Sequence, residues 1–174
     1  MHKLIAIVLA LTAHTAVCAA EAWELVKPDN LGFSVEFPGK PEYKEEEGDD
    51  GGKIRTYAVA SPAAAYDVTV WDLPEGTVRP ENVSQVLDNF RERTLDGLHA
   101  KLKSETKIEI GGHQARDVTA DVMGMVWRGR IVVAGNRLYQ IVAIVSKAEE
   151  QSATTEKYLL SFKLLGEAGG DASK

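Results

Sequence analysis

The chain has 174 residues, of which 44% are hydrophobic and 26% are charged, and its formal net charge is −6. These values are typical of a folded domain, and the length fits one domain with a substantial core. An acidic chain without a Lys/Arg cluster is unsuited to general nucleic-acid binding, which depends on neutralising phosphates. The single Cys excludes a disulfide framework within the chain.

The first twenty residues have the three parts of a secretory signal peptide, in the expected order. A short positive start at His2 and Lys3 precedes an apolar stretch at 4–11, and small residues gather at 18–20. The apolar stretch is too short for a membrane-spanning helix, which needs about 20 apolar residues. The pattern predicts a cleaved signal at 1–20, a secreted or periplasmic protein, and no integral membrane span after cleavage.

Cys18 provides an alternative to full release from the membrane. Bacterial lipoprotein signals resemble Leu-x-Gly/Ala-Cys, with the lipid attached to the Cys. Here Thr15, Ala16 and Val17 precede Cys18, so a branched residue stands where a small one is required. We therefore favour a lipid-free exported protein, with an accessory protein anchored by lipid at Cys18 as the alternative.

The segments before the first helical pattern are typical of an antiparallel meander. Each candidate strand either alternates apolar and polar residues or is bounded by turn residues. The candidates lie at 23–27, 33–37, 41–48, 53–61 and 65–73. The sequence Asp49-Asp50-Gly51-Gly52 is a strong turn signal, which predicts a hairpin at the edge of a sheet.

A change of period marks the first helix, which we predict over residues 83–101. Its apolar stripe consists of Val83, Val86, Leu87, Phe90, Leu95 and Leu98. Asn82 and Gln85 have the spacing of a capping box at its start.

Four further strands are predicted at 103–110, 113–122, 125–134 and 138–145. Gly111-Gly112 and Gly135-Asn136 separate them into two hairpins. The run from Ile141 to Val145 is apolar on both strand faces, and such a strand needs cover on both sides. We therefore expect an α+β fold in which helices pack on an antiparallel sheet as an α/β/α sandwich.

A second helix is predicted to begin at Ser146, with Glu149 completing a capping box. Its sheet-facing residues would be Tyr158, Leu159, Phe162 and Leu165. Residues 166–174 have little to bury and are predicted to form a disordered tail. One domain at 23–165 therefore accounts for the mature chain.

The order of these elements resembles that of a known family. The run Phe-Ser-Val-Glu-Phe-Pro-Gly-Lys-Pro at 33–41 opens the domain, and Tyr-Leu-Leu-Ser-Phe-Lys-Leu at 158–164 closes it. This layout is similar to that of the PsbP-like group, within the superfamily of Mog-type Ran-binding proteins and small exported bacterial proteins. The resemblance implies an antiparallel sheet with packed helices, a role in binding or assembly, and no catalytic residues.

Motifs for catalysis and metal binding are missing from the mature chain. It holds two histidines, His99 and His113, which are too few for a three-His zinc site, and no paired Cys. His113 and Asp117 share a strand face about 13 Å apart, too far for an acid–base pair. His99 lies near a helix C-terminus, where its charge would complement the helix dipole.

Two groups of residues are candidates for a binding surface on the strand at 125–134. Arg128 and Arg130 lie on the face opposite Trp127, where they could bind an anionic ligand or balance nearby acids. Trp127 is expected in the core, together with Trp71.

The acidic run at 45–50 could attract Ca²⁺, but its spacing does not match an EF-hand. We therefore interpret it as a solvated hairpin tip that discourages edge pairing. The sequence favours an exported, non-enzymatic binding or assembly factor without a cofactor or metal, whose partner is another protein or an envelope component. An envelope-associated enzyme with an unrecognised site is the alternative.

Overall fold

A computed structural model describes residues 22–48, 51–61 and 63–165 of the chain. The described part contains two α-helices, α1 (Val83–Gly97) and α2 (Ala153–Ser161). Its strands are β1 (Glu24–Val26), β2 (Phe33–Phe37), β3 (Glu42–Glu47), β4 (Lys53–Ala60), β5 (Ala64–Asp72), β6 (Lys101–Ile110), β7 (His113–Val122), β8 (Met125–Ala134), β9 (Arg137–Val145) and β10 (Lys163–Leu164).

The strands form two antiparallel sheets of unequal size. The larger sheet has seven strands in the order β3-β4-β5-β9-β8-β7-β6, and the smaller has three in the order β1-β2-β10. Strand β9 lies at the centre of the large sheet because it pairs with both β5 and β8. The predicted α+β class is therefore confirmed, and the predicted hairpins are present.

Helices cover both faces of the large sheet, as expected from the apolar run in β9. On one face, here called the α2 face, Tyr139 and Ile141 pack in a cluster with Phe33 and Tyr158, so that α2 and the small sheet cover it. On the opposite face, the α1 face, Leu138 packs against Leu87 of α1. The two-sided burial of β9 follows from strand geometry, because successive side chains point to opposite faces.

Helix α1 covers only part of its face of the sheet. It packs on β7 and β8, and β3, β4 and the outer half of β5 extend beyond it. The α1 face of β4 carries Ile54, Thr56 and Ala58, which are partly buried. An open shelf of sheet thus borders the helix.

The first helix is shorter than predicted, because it ends at Gly97 instead of residue 101. His99 adopts a left-handed conformation with φ 51°, and its N–H donates to the Asp96 carbonyl at 3.0 Å. The Ala100 N–H donates to the Leu95 carbonyl at 2.8 Å. These two bonds form a Schellman motif, which ends the helix in the place where Gly is usual.

The start of α1 is correctly predicted, but the predicted capping box does not form. The Asn82 side chain accepts from the Arg79 N–H at 2.7 Å and donates to the Thr77 carbonyl at 3.0 Å. It makes no cap hydrogen bond to the helix. Asn82 instead fastens the turn before the helix.

The predicted start of the second helix is wrong. Residues Lys147–Glu149 form a single 3-10 turn, and Ser146 makes no side-chain cap bond. Helix α2 is capped by Ser152, whose Oγ accepts from the Thr155 N–H at 3.2 Å. Both serines can cap a helix. Because α2 begins after the turn between them, it packs on the sheet, where Tyr158 and Leu159 are buried as expected.

Trp127 is buried on the α1 face, and its ring lies over Gly129. Trp71 lies on the same face in a separate cluster, where its ring meets Phe90 with centroids 4.8 Å apart. Both tryptophans therefore contribute to the core, but they do not share one cluster.

The Gly129→Ala variant is expected to lose about 3 kcal/mol of unfolding free energy, measured by urea denaturation. A Cβ at position 129 would lie 2.0 Å from Trp127 Cη2, so the indole has to move. The control is Gly97→Ala, where a Cβ meets nothing within 4 Å. Equal stability of the two variants would show that the indole moves without cost.

Candidate functional site

Arg128 and Arg130 lie on the α2 face, opposite Trp127, and both are bound within the chain. Arg128 forms an ion pair with Glu156 of α2 and donates to the Glu150 carbonyl at 3.0 Å. Arg130 pairs with Asp117 at 2.9 Å and donates to the Leu159 carbonyl at 3.2 Å. These contacts hold α2 and the turn before it against β8.

The structure does not bring His113 and Asp117 together. Asp117 pairs with Arg130, whereas His113 is exposed at the start of β7. His99 is also exposed and forms the end of α1 described above. Neither histidine lies beside a group that could act with it as an acid–base pair in the described structure.

The acidic run begins on the exposed edge strand β3. Glu45 accepts from Lys53 at 2.9 Å and from Arg55 at 3.1 Å, and the Lys53 contact is the main reason that its pKa falls to about 2. Asp49 and Asp50 lie outside the described residues. Within the described ranges there is no group of three or more His, Cys, Asp and Glu side chains that could hold a metal ion.

Several predictions concern parts of the chain that lie outside the described residues. These are the signal at 1–20 with Cys18 and the tail at 166–174. No helix within the described residues is both long and apolar enough to cross a membrane.

A cleft of about 420 Å³ lies at the end of the large sheet, where two glycine turns meet the C-terminal strand. Gly111, His113 and Gly135 line it, with Leu164 of β10 on one side. Its cation, Arg137, is already bound to Asp72 at 3.2 Å and to the Asn30 carbonyl at 2.8 Å. The charge of Arg137 is therefore used in contacts within the chain.

A second cleft, of about 350 Å³, lies between the C-terminal half of α1 and the open shelf of the sheet. We call it the Asp67 cleft. Its apolar walls come from three elements, and they consist of Leu98, Trp127, Val142 and Ile144. Its polar side chains are Asp67, Arg93, Thr94 and Gln140. Apolar walls with a few converging polar groups are typical of ligand sites.

Asp67 lies on β5 with its side chain on the α1 face. Its neighbours across the two adjacent strands are Ala58 and Val142, and neither can pair with a carboxylate. Thr69 Oγ1 donates to one carboxylate oxygen at 3.3 Å. No described residue donates a hydrogen bond to the other oxygen or forms an ion pair with Asp67.

Burial without a cation changes the acidity of this carboxyl. Loss of water contact raises the pKa of Asp67 from 3.8 to about 7, and the Thr69 hydrogen bond opposes the rise only in part. The group can therefore be neutral or ionised near physiological pH. Carboxyls of this kind in clefts are candidates for functional groups.

The remaining polar groups lie around the mouth of the Asp67 cleft. Gln140 Nε2 lies 3.5 Å from Thr94 Oγ1, which joins β9 to α1. Arg93 is exposed on α1, and it has no hydrogen bond or ion pair with the described residues. The cleft thus contains one acid and one cation, neither of them neutralised by an ion pair.

Sequence reasoning missed Asp67, although the strand pattern contained a signal. In the predicted strand at 65–73, Tyr66, Val68 and Val70 alternate with Thr69 and Trp71, and Asp67 falls on the face with Trp71. A charged side chain in the middle of an otherwise apolar and hydroxyl-bearing strand is unusual, since charges are rarely buried without a partner. This exception could have marked the residue.

No protein-family model matches the sequence, and no curated protein matches it. Among solved structures, the fold is similar to cyanobacterial PsbP (CyanoP) from Synechocystis sp. PCC 6803. The TM-score is 0.61 at 11% sequence identity, and the match covers 88% of this chain and 98% of that chain.

A weaker similarity, with a TM-score of 0.42 and 14% identity, links the chain to the protein of unknown function PA94 from Pseudomonas aeruginosa. The match covers 73% of this chain and 85% of that chain. The similarity to cyanobacterial PsbP concerns the fold alone, and it agrees with the two antiparallel sheets and packed helices seen here. The chain therefore has the PsbP-like fold.

Proposed function

We propose that this chain is an exported, non-enzymatic binding or assembly factor whose ligand or partner enters the Asp67 cleft. Export is supported by the signal pattern at 1–20, and binding by the open cleft beside α1.

The observation that carries the proposal is the absence of a cation beside Asp67 among the described residues. Elsewhere the described chain neutralises most partly buried acids, as Arg116 does Glu105 and Arg130 does Asp117, although Asp121 has one carboxylate oxygen without a partner. Asp67 has only Thr69. A partly buried acid without a cation costs stability, and Asp67 also lines an open cleft, so we attribute it to a ligand and not to packing.

Fluorine NMR of the protein labelled with fluorotryptophan tests this proposal. The chain has 3 tryptophans, and Trp127 lines the cleft, whereas Trp23 packs against the cluster on the α2 face and serves as the internal control. A fraction of the native host envelope is expected to shift the Trp127 resonance alone, and Asp67→Asn should remove the shift. The proposal fails if no fraction moves this resonance, or if all three resonances move together.

Export predicts a defined N-terminus for the protein isolated from its native host. Intact mass and N-terminal sequencing should show a chain beginning at Ala20 or Glu21 with no added mass. A chain that keeps residues 1–20 would contradict cleavage. A lipid on Cys18 would replace the released protein with the membrane-anchored alternative.

The raised pKa of Asp67 is the one observation that favours an enzyme as the second candidate, because general acids and bases work best near the operating pH. Such a mechanism usually needs a second group within reach. Among the described residues that line the cleft, Asp67 is the only carboxyl, and the other polar side chains are Arg93, Thr94 and Gln140. We therefore favour binding.

A further inference from the structure

The Asp67 cleft has a distinctive arrangement of charge. Asp67 lies on the sheet and Arg93 on the opposing helix, and both line the same space. Neither forms an ion pair with the described residues. Two opposite charges that face one cleft but do not neutralise each other leave room for a ligand that carries both complementary charges.

The size and walls of the cleft restrict what can lie between these charges. Its volume of about 350 Å³ is at the lower end of the range for small-molecule sites, about 300–1,000 Å³. Leu98 and Ile144 are partly exposed and supply an apolar surface next to the charged groups, with the buried Trp127 and Val142 beneath them. A ligand that fits is small, and it has an apolar part beside its charges.

We propose that the cleft binds a small zwitterion of the amino-acid type, with its ammonium on Asp67, its carboxylate on Arg93 and its apolar side chain against Leu98 and Ile144, close to Trp127. The proposal rests on the proposed function, since it names the ligand of the same site. Gln140 and Thr94 lie within the cleft and can add hydrogen bonds to either end.

The surroundings of Asp67 determine how such binding depends on pH. The residues beside it on β4 and β9 are the uncharged Ala58 and Val142. Arg93 is the charged group that α1 contributes to the cleft, and Glu42 and Lys44 lie on the same face one strand further away, on β3.

A ligand ammonium stabilises the ionised form of Asp67. Because burial raises the pKa of this carboxyl to about 7, binding should strengthen as the pH rises through that value. An anionic ligand would show the opposite trend, since it prefers the protonated carboxyl.

Leucine and two truncated analogues test the proposal on the full-length protein, with the Trp127 fluorine resonance as the readout. Leucine amide lacks the carboxylate, and isocaproate lacks the ammonium. Leucine should bind with saturation, and each analogue at least about tenfold more weakly. Arg93→Gln should make leucine and leucine amide bind equally, whereas the control Arg79→Gln, at an exposed ion pair outside the cleft, should not.

Three results would overturn the proposal. These are equal binding of leucine and leucine amide by the wild type, tighter binding of isocaproate than of leucine, and no saturable shift at up to about 10 mM leucine. If leucine fails but a host envelope fraction still shifts Trp127 alone, the zwitterion is excluded and the proposed binding function stands. If neither has an effect, both proposals fail.

Discussion

Replacement of Asp67 by Asn is expected to raise the free energy of unfolding by about 4 kcal/mol at about pH 8, and to change it little at about pH 3. The folded pKa of Asp67 is about 7, against 3.8 for an ordinary Asp. The folded state therefore holds a proton that the unfolded state releases. Stability from this proton is complete below about pH 4 and is lost as the pH rises to about 7.

Asn cannot ionise, so the variant should lack this loss, and it keeps an oxygen that can accept from Thr69. Urea denaturation of both proteins between about pH 3 and pH 8 measures the difference. Asp96→Asn, at an exposed position on α1, is the control and should follow the wild-type profile. Parallel curves for the wild type and Asp67→Asn would show that Asp67 ionises equally well in the folded and unfolded chain.

Replacement of Arg116 by Met is expected to lower the free energy of unfolding by about 2 to 3 kcal/mol. The Arg116 side chain is 1% exposed, and it contacts Asp88 at 2.9 Å and Glu105 at 3.2 Å. It also donates to Ser84 Oγ at 2.7 Å. Met can fill the space, but it leaves the Asp88 carboxylate and the Ser84 hydroxyl without their donor, and it leaves Glu105 with Arg91 alone.

The guanidinium of Arg116 thus connects α1 to β6 and β7. Helix α1 also forms one wall of the Asp67 cleft. Arg79 forms an exposed ion pair with Glu81 at 3.0 Å, so Arg79→Met should change stability by less than about 0.5 kcal/mol. Urea denaturation at neutral pH compares the two variants. A loss of under about 1 kcal/mol for Arg116→Met would contradict a structural role for the buried ion pairs.

The sequence contains most of the information on the strands. The predicted bounds of β2, β7 and β8 agree with the structure. Strict alternation defines β2, and glycine turns separate β7 and β8 from their neighbours, so each strand end coincides with a local signal. The two-sided apolar run of β9 also predicts the layered arrangement.

Helix ends were less predictable because several residues could serve equally well. Ser146 and Ser152 both suit an N-cap, and the packing of α2 on the sheet selects Ser152. His99 ends α1 in a conformation that usually requires Gly or Asn, so no local signal announced it.

The Asp67 cleft was not predictable, since it depends on pairings between distant strands. Asp67 lacks a cation because strand register places Ala58 and Val142 beside it. Arg128 and Arg130 were correctly placed on one face, but their contacts with Glu156 and the Leu159 carbonyl require the position of α2. Local patterns assign a residue to a face, and tertiary contacts decide what it meets there.

The central claim is that Asp67 is a partly buried carboxyl with a raised pKa. The most direct test is a pH titration of its carboxyl carbon by carbon-13 NMR, with the resonance assigned by comparison with Asp67→Asn. A midpoint near pH 7 is predicted for a partly buried carboxyl without an ion pair, the state on which the proposed binding site depends. A midpoint near 4 would contradict it, because Asp67 would then be an ordinary solvated acid.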